Sequence, residues 1–415
     1  MPALHRTRYR SLDLWRGVAC LTVVAYHASG VVQRGASPDW SEPVYSALGL
    51  GYLGVPLFFV ISGYCIAASS DAHRQSGAGG GSFLWRRLRR IYPPYWISVG
   101  CTVMLFWTFD ALGWGLFHKG PAAQPTVASL SWVQWLGNLT LSETWLHQLI
   151  GGEERRFNGA IWSLCFEEQF YLLCFLALTT MPRRFVQVIL LLTCAVTLVW
   201  ASAELLGARE RFKGTFFDFG WWQFACGMGV YYRLHYVGDP RLGRIIDRVT
   251  LVIGVPAVMI LLLLGGSCYD PRSYFCNPVL GLGVATGFAI LLVRLHPLDV
   301  SWSQSRLLKP LMFTGTISYS LYLIHMPVCK LGYYLLHHVG FWSRGRALLV
   351  SIPLCMAASV AVAWIFYRLV EQRFMNKPRA RSVLRDRISG HEWASGAPAA
   401  IPERAGQLSG GFASG

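Results

Sequence analysis

The stretch LDLWRGVACLTVVAYH, residues 12–27, decides how the chain is read. It reads as the body of a membrane-spanning helix, yet it carries Asp13, Arg16 and His27. Ionisable groups inside a bilayer are costly, so by default they mark a pathway or a reactive site. Arg16 and His27 are eleven positions apart, which puts them about 16 Å apart along a helix and near one face. A cation near one mouth and an imidazole deep inside suit a long molecule with an anionic head threaded into the membrane. The plainer alternative has Arg16 snorkelling to the interface and His27 making a helix–helix hydrogen bond.

Composition agrees with a membrane protein. Of the 415 residues 53% are hydrophobic and 14% charged, too apolar for an ordinary soluble domain. The net charge of +16 comes largely from arginine and fits cytoplasmic loops better than nucleic-acid binding. No small-residue cleavage site follows the first apolar segment, so no cleavable signal peptide is expected. The eleven cysteines are scattered, mostly within apolar segments, and no Cys/His spacing suggests a metal. Cys268 and Cys276 flank a short polar loop and could pair if that loop meets an oxidising compartment.

The chain reads as an all-α, polytopic helix bundle of about ten spans: 12–33, 44–69, 91–109, 159–180, 185–206, 216–234, 248–266, 277–294, 311–337 and 346–370. With the N-terminus inside, about 25 Lys and Arg fall in inner loops and termini and about 10 outside, a positive-inside bias. The inner set includes Arg6, Arg8, Arg10, the cluster at 86–90, Arg183, Arg184, Arg241 and Arg244. Both termini are then expected in the cytoplasm. The inner segment DAHRQSGAGGGS, residues 71–82, reads as flexible, and no Gly-Lys-Ser/Thr follows its glycines to make a phosphate loop. The large outer loop, about 110–158, holds Trp114, Trp132, Trp135 and Trp145, which suit interface anchoring and could also stack on sugar rings. The expected division is a membrane domain over 1–375 and a basic, then low-complexity, tail over 376–415 that reads as disordered.

Four further segments bear chemistry. GVPLFFVISGYCI, residues 54–66, carries Ser62-Gly63, a pair that lets a helix or ligand approach closely. FLWRRLRRIYPPYW, residues 83–96, sets Arg87 and Arg90 on one side of a turn at an inner mouth. Arginine suits bidentate phosphate binding, although a topology signal or lipid-headgroup contact would use the same residues. IWSLCFEEQFYLLCF, residues 161–175, puts Ser163, Glu167 and Tyr171 on one face, with Glu168 pointing elsewhere. GTISYSLYLIHMPV, residues 315–328, aligns Ser318, Tyr322 and His325.

Depth arithmetic connects these segments. At a rise of 1.5 Å per residue, His27 lies roughly 22 Å above the inner face, His325 roughly 21 Å and Glu167 roughly 18 Å. The three are expected to converge on one cavity, with Arg16, Arg87 and Arg90 near the inner mouth and Glu371 in the same lower layer, paired with one of those arginines. An acyl-CoA fits that layout, its phosphates low and its thioester high. Attack on a thioester at neutral pH needs a base, and His27 suits that role.

Together these segments resemble the membrane acyltransferase-3 family. The likeness rests on the Arg16-to-His27 spacing, FFVISGY, RRLRRIYPPYW, IWSLCFEEQFY, ISYSLYLIH and the terminal YRLVEQRF, in family order over about 12–375. The resemblance implies a bacterial inner-membrane O-acyltransferase that moves an acyl group, usually acetyl from acetyl-CoA, to sugar hydroxyls of extracytoplasmic glycans. It implies His27 and Glu167 as catalytic and Arg16, Arg87 and Arg90 as the acyl-CoA site. Ser163, Tyr171, Tyr322 and His325 are the expected substrate contacts, the bilayer is the expected surroundings, and no metal is expected. Pro56 stands where many relatives carry an acidic residue. No soluble esterase-like domain follows, so transfer is expected to finish within the bundle. The alternatives are a transporter or flippase for an anionic or glycolipid solute, or the same chemistry on a small natural product. Transporters often show related halves, and no internal repeat is visible.

Overall fold

The structure, a computed structural model, describes residues 9–33, 40–77, 79–113, 127–218, 220–254, 278–338 and 343–375. Every regular element among them is helical. In chain order these include α1 (Leu12–Gln33), α2 (Glu42–Gly49), α3 (Gly54–Ser76), α4 (Gly80–Ala111), α5 (Trp132–Thr140), α6 (Glu143–Ile150), α7 (Trp162–Thr180) and α8 (Phe185–Leu205). They continue with α9 (Gly220–Tyr236), α10 (Pro240–Val249), α11 (Pro278–Leu295), α12 (Asp299–Gln304), α13 (Lys309–Thr316), α14 (Ser318–His338) and α15 (Ile352–Phe366).

By length and composition, four stretches of the described residues can cross a membrane: Glu42–Ser76, Pro182–Ala203, Leu280–Gln304 and Arg344–Phe374. Helices α1, α4, α7 and α14 are of similar length but carry charges and hydroxyls that lower their mean hydropathy. The expected span at 311–337 is interrupted at Ile317, between α13 and α14. Most of the expected span at 248–266, the tail 376–415, Trp114, and Cys268 with Cys276 lie outside the described residues.

Close backbone approach explains the tightest helix contacts. A Cβ on Gly315 would fall 1.7 Å from the Asp13 carbonyl oxygen, so α13 presses directly on α1. A Cβ on Gly227 would fall 1.9 Å from the Val60 carbonyl oxygen, which joins α9 to α3 through small residues, as membrane helices commonly pack. The start of α1 is capped from a distance. Both carboxylate oxygens of Asp299 accept from its leading amides, Arg10 N at 2.8 Å and Ser11 N at 2.7 Å.

Helix α4 runs 32 residues, about 48 Å, straight through Pro93 and Pro94. Its YPPYW segment is pinned to the C-terminus of α5. Tyr92 donates to Thr140 O at 3.0 Å, Trp96 Nε1 donates to Leu139 O at 2.9 Å, and Tyr95 donates to Asn138 O. Those are carbonyls that a helix end leaves without internal partners. The aromatic residues around the prolines thus complete the end of α5, and they bring residues 138–140 of the expected outer loop against the expected inner end of the span at 91–109, which corrects that layout.

The segment 71–82 is not the flexible loop that its glycines suggested. Helix α3 continues to Ser76, Gly77 closes it at φ +64°, and α4 begins at Gly80. Asp71 is buried and accepts from Tyr231 at 2.7 Å and Tyr236 at 2.5 Å. His73 is buried against Ser82 at 2.6 Å and Arg86 at 2.8 Å. Partners distant in sequence outweigh local composition here.

Candidate active site

Helix α7 supplies the central face. Ser163, Glu167 and Tyr171 recur one turn apart, and all three line one cavity of about 120 Å³. Glu167 Oε1 accepts from Ser62 Oγ on α3 at 2.9 Å and from the Tyr171 hydroxyl. Glu168 lies apart, held by Tyr92, and does not line this cavity.

The three arginines open onto the same cavity. Arg16 pairs with Asp13 at 2.5 Å and donates to Cys65 Sγ at 2.9 Å. Arg87 lies over the Tyr171 ring at 5.2 Å and reaches Cys65 O at 3.5 Å. Arg90 has no hydrogen-bond or ion-pair partner among the described residues. Glu371 accepts from Ser320 Oγ at 2.6 Å, while its Oε1 is buried and unpartnered among the described residues. The expected pairing of Glu371 with an arginine is therefore not a direct contact. The cavity gathers three guanidinium groups around one carboxylate, with Phe58, Phe59 and Leu164 among its apolar walls. Such a chamber suits an anionic group with an apolar arm.

The histidines meet beside it. His27 on α1 and His325 on α14 have ring centres 5.1 Å apart. Neither lines the cavity that holds Glu167. The expectation of one cavity for all three is thus corrected: Glu167 opens onto the arginines, and the two imidazoles form an adjoining pair. Tyr322, which does line the cavity, links the two groups. Its hydroxyl bonds to Ser163 Oγ at 2.8 Å and to Ala160 O, and its ring centre is 6.2 Å from that of His325.

The sequence profile of the acyltransferase-3 family, an acyltransferase domain, matches residues 9–368. The chain belongs to the acyltransferase-3 family. It is 26% identical over 376 residues to a Komagataeibacter xylinus protein named as a membrane-bound transacylase, covering 88% of this chain and 83% of that one. It is 23% identical over 395 residues to an O-acetyltransferase of Staphylococcus aureus, covering 90% of this chain and 58% of the relative. A Bacillus subtilis protein named as a peptidoglycan O-acetyltransferase is 25% identical over 358 residues, covering 79% of this chain and half of the relative. No solved structure matches the chain. The apolar helices and these relatives make this acyltransferase-3 chain a membrane protein.

Within this acyltransferase-3 bundle, two cavity contacts escaped the sequence. Ser62 read as part of a pair that lets a helix or ligand approach closely, with no sign that it holds Glu167. Cys65 had no assigned role, yet it receives Arg16 and lines the cavity. The available signal was their spacing, since Ser62 and Cys65 are three apart and share a face of α3.

Proposed function

We propose that the protein is an integral-membrane O-acyltransferase that moves acetyl from acetyl-CoA to a sugar hydroxyl of an extracytoplasmic glycan. What supports the reading is the gathering of Arg16, Arg87 and Arg90 around Glu167 in one cavity, with the His27–His325 pair adjoining it. Two relatives carry O-acetyltransferase names. In this reading the protein sits in a bacterial inner membrane with both termini in the cytoplasm. The arginines take the CoA phosphates from the inner side, through the charge-assisted contacts that guanidinium makes with phosphate. The apolar walls take the pantetheine arm.

Transfer is direct. His27 accepts the proton of the attacking hydroxyl as its oxygen bonds to the thioester carbon. The C–S bond then breaks, and the departing sulfur takes the proton from His27 to leave as CoA thiol. Glu167, held by Ser62 and Tyr171, positions the reacting groups, and Ser163 and Tyr322 contact the acceptor end.

The test is turnover in detergent, without a sealed membrane. Release of free CoA together with an O-acetylated sugar supports the reading. A purified protein that binds acetyl-CoA and transfers nothing to any offered glycan contradicts it. That second result is also the one expected of a transporter.

A further inference from the structure

The strongest unexplained group in the bundle is Nε2 of His325. The residue is 0% exposed, and Nε2 has no hydrogen-bond partner among the described residues. The other nitrogen is fully committed. Nδ1 faces the carbonyl oxygens of Leu321 at 3.0 Å and Tyr322 at 2.8 Å. Carbonyl oxygens only accept, so Nδ1 must carry the hydrogen, and Nε2 is left with a lone pair. A buried acceptor without a donor costs free energy, and such an atom in a native structure calls for a role.

His27 is the neighbour that can supply the donor. Its ring centre lies 5.1 Å from that of His325, at an angle of 44°. His27 is half-buried and His325 is wholly enclosed, so His27 is the more accessible of the two. Catalytic hydrogen bonds are often long before substrate binds and tighten in the reacting complex.

We propose that His325 is the positioning residue for His27. Its Nε2 accepts the hydrogen of the His27 ring nitrogen that faces it, which fixes one His27 tautomer. The second His27 nitrogen then presents its lone pair to the acceptor hydroxyl. In the transfer step that nitrogen gains the hydroxyl proton and passes it to the sulfur, while the hydrogen shared with His325 stays on His27. The role parallels that of a carboxylate behind a catalytic histidine, filled here by a neutral imidazole whose own tautomer two backbone carbonyls set. The proposal rests on the acyltransferase reading for its purpose but not for its geometry.

The experiment is nitrogen NMR of protein labelled with ¹⁵N-histidine in detergent, with the His27 signals assigned by their loss in His27→Gln. Ring-nitrogen shifts report directly which nitrogen carries hydrogen. With saturating CoA, His27 is expected in one tautomer in the unsubstituted protein and in a mixture in His325→Leu. It is expected in one tautomer again in His325→Gln, whose side-chain oxygen can accept where Nε2 did. If the leucine variant does not fold, His325→Phe, which keeps a ring of similar shape, takes its place. In turnover, kcat should fall on the order of 10–100-fold in the leucine variant, the range known for losing the partner that orients a metal-bound histidine. KM for acetyl-CoA should be unchanged, and glutamine should restore part of the loss. An identical His27 tautomer in all variants overturns the proposal. A complete lack of transfer by the unsubstituted protein would instead overturn the functional reading, and the tautomer result would stand apart from it.

Discussion

Ser62 holds Glu167: the hydroxyl on α3 donates to the carboxylate on α7 at 2.9 Å, inside the cavity that the three arginines share. A hydrogen bond to a charged group contributes about 1.5–3 kcal/mol. Ser62→Ala and Glu167→Gln should each lower turnover, and Ser62→Ala should add little once Glu167 is glutamine. A double-mutant cycle on kcat measures the coupling. Strictly additive effects would mean that Ser62 acts on something other than Glu167.

The arginines should govern donor affinity. Each charge-assisted contact with a CoA phosphate contributes on the order of 1.5–3 kcal/mol. Calorimetric binding of acetyl-CoA should therefore weaken sharply in the Arg87→Ala/Arg90→Ala double variant, and lysine should rescue poorly because it lacks the planar fork. Arg90 gives the cleanest single test. Arg16→Ala would also leave Asp13 without its 2.5 Å partner, mixing stability with binding. Unchanged affinity in the double variant would move the phosphate site elsewhere.

Cys65 offers a reporter of cavity occupancy. It is half-buried, lines the cavity and receives Arg16, whereas Cys20, Cys165 and Cys174 are buried. A small thiol reagent should modify Cys65 slowly, and saturating CoA should slow it further. Mass spectrometry of the modified peptide reads the rate directly, with Cys65→Ser as the control. Equal rates with and without CoA would place the ligand outside this cavity.

Glu143 should make the α5–α6 segment sensitive to pH. It is buried between α5 and α6, accepting from Arg155 N at 2.7 Å and Asn138 Nδ2 at 3.3 Å. Burial pushes its carboxyl up to about 7 from the ordinary 4.5. Because the folded value is raised, the stability this group contributes is full below about 4.5 and is lost as pH rises through about 7. Hydrogen exchange across α5 and α6, with intrinsic exchange corrected, should show less protection at pH 8 than at pH 5. Glu143→Gln should flatten that difference; an unaltered difference would clear Glu143 of the effect.

Much of the site was legible wherever it depends on one helix. Ser163, Glu167 and Tyr171 share a face by spacing alone, as do Arg87 and Arg90, and the structure finds all five on one cavity. Depth arithmetic set His27 and His325 within about 1 Å of the same level, and their rings do meet. The same arithmetic failed for Glu167: it set that carboxylate roughly 18 Å above the inner face and the three arginines near the inner mouth, yet all four line one cavity, because α4 begins at Gly80 rather than at 91 and depth ignores which way a side chain turns. Contacts between helices were hidden for the same reason. Nothing local to Ser62 indicates that α7 turns Glu167 toward it. Nothing in the glycine-rich run reveals that Tyr231 and Tyr236 bury Asp71.

The most direct test of the account is acetyl transfer by His27→Ala, with acetyl-CoA affinity measured on the same sample. Loss of a general base typically lowers rate by a factor of about 10²–10⁴. The expected result is product formation reduced at least to that range, with donor affinity close to that of the unsubstituted protein, since the arginine cavity does not include His27. Transfer at a near-normal rate by His27→Ala would contradict the account.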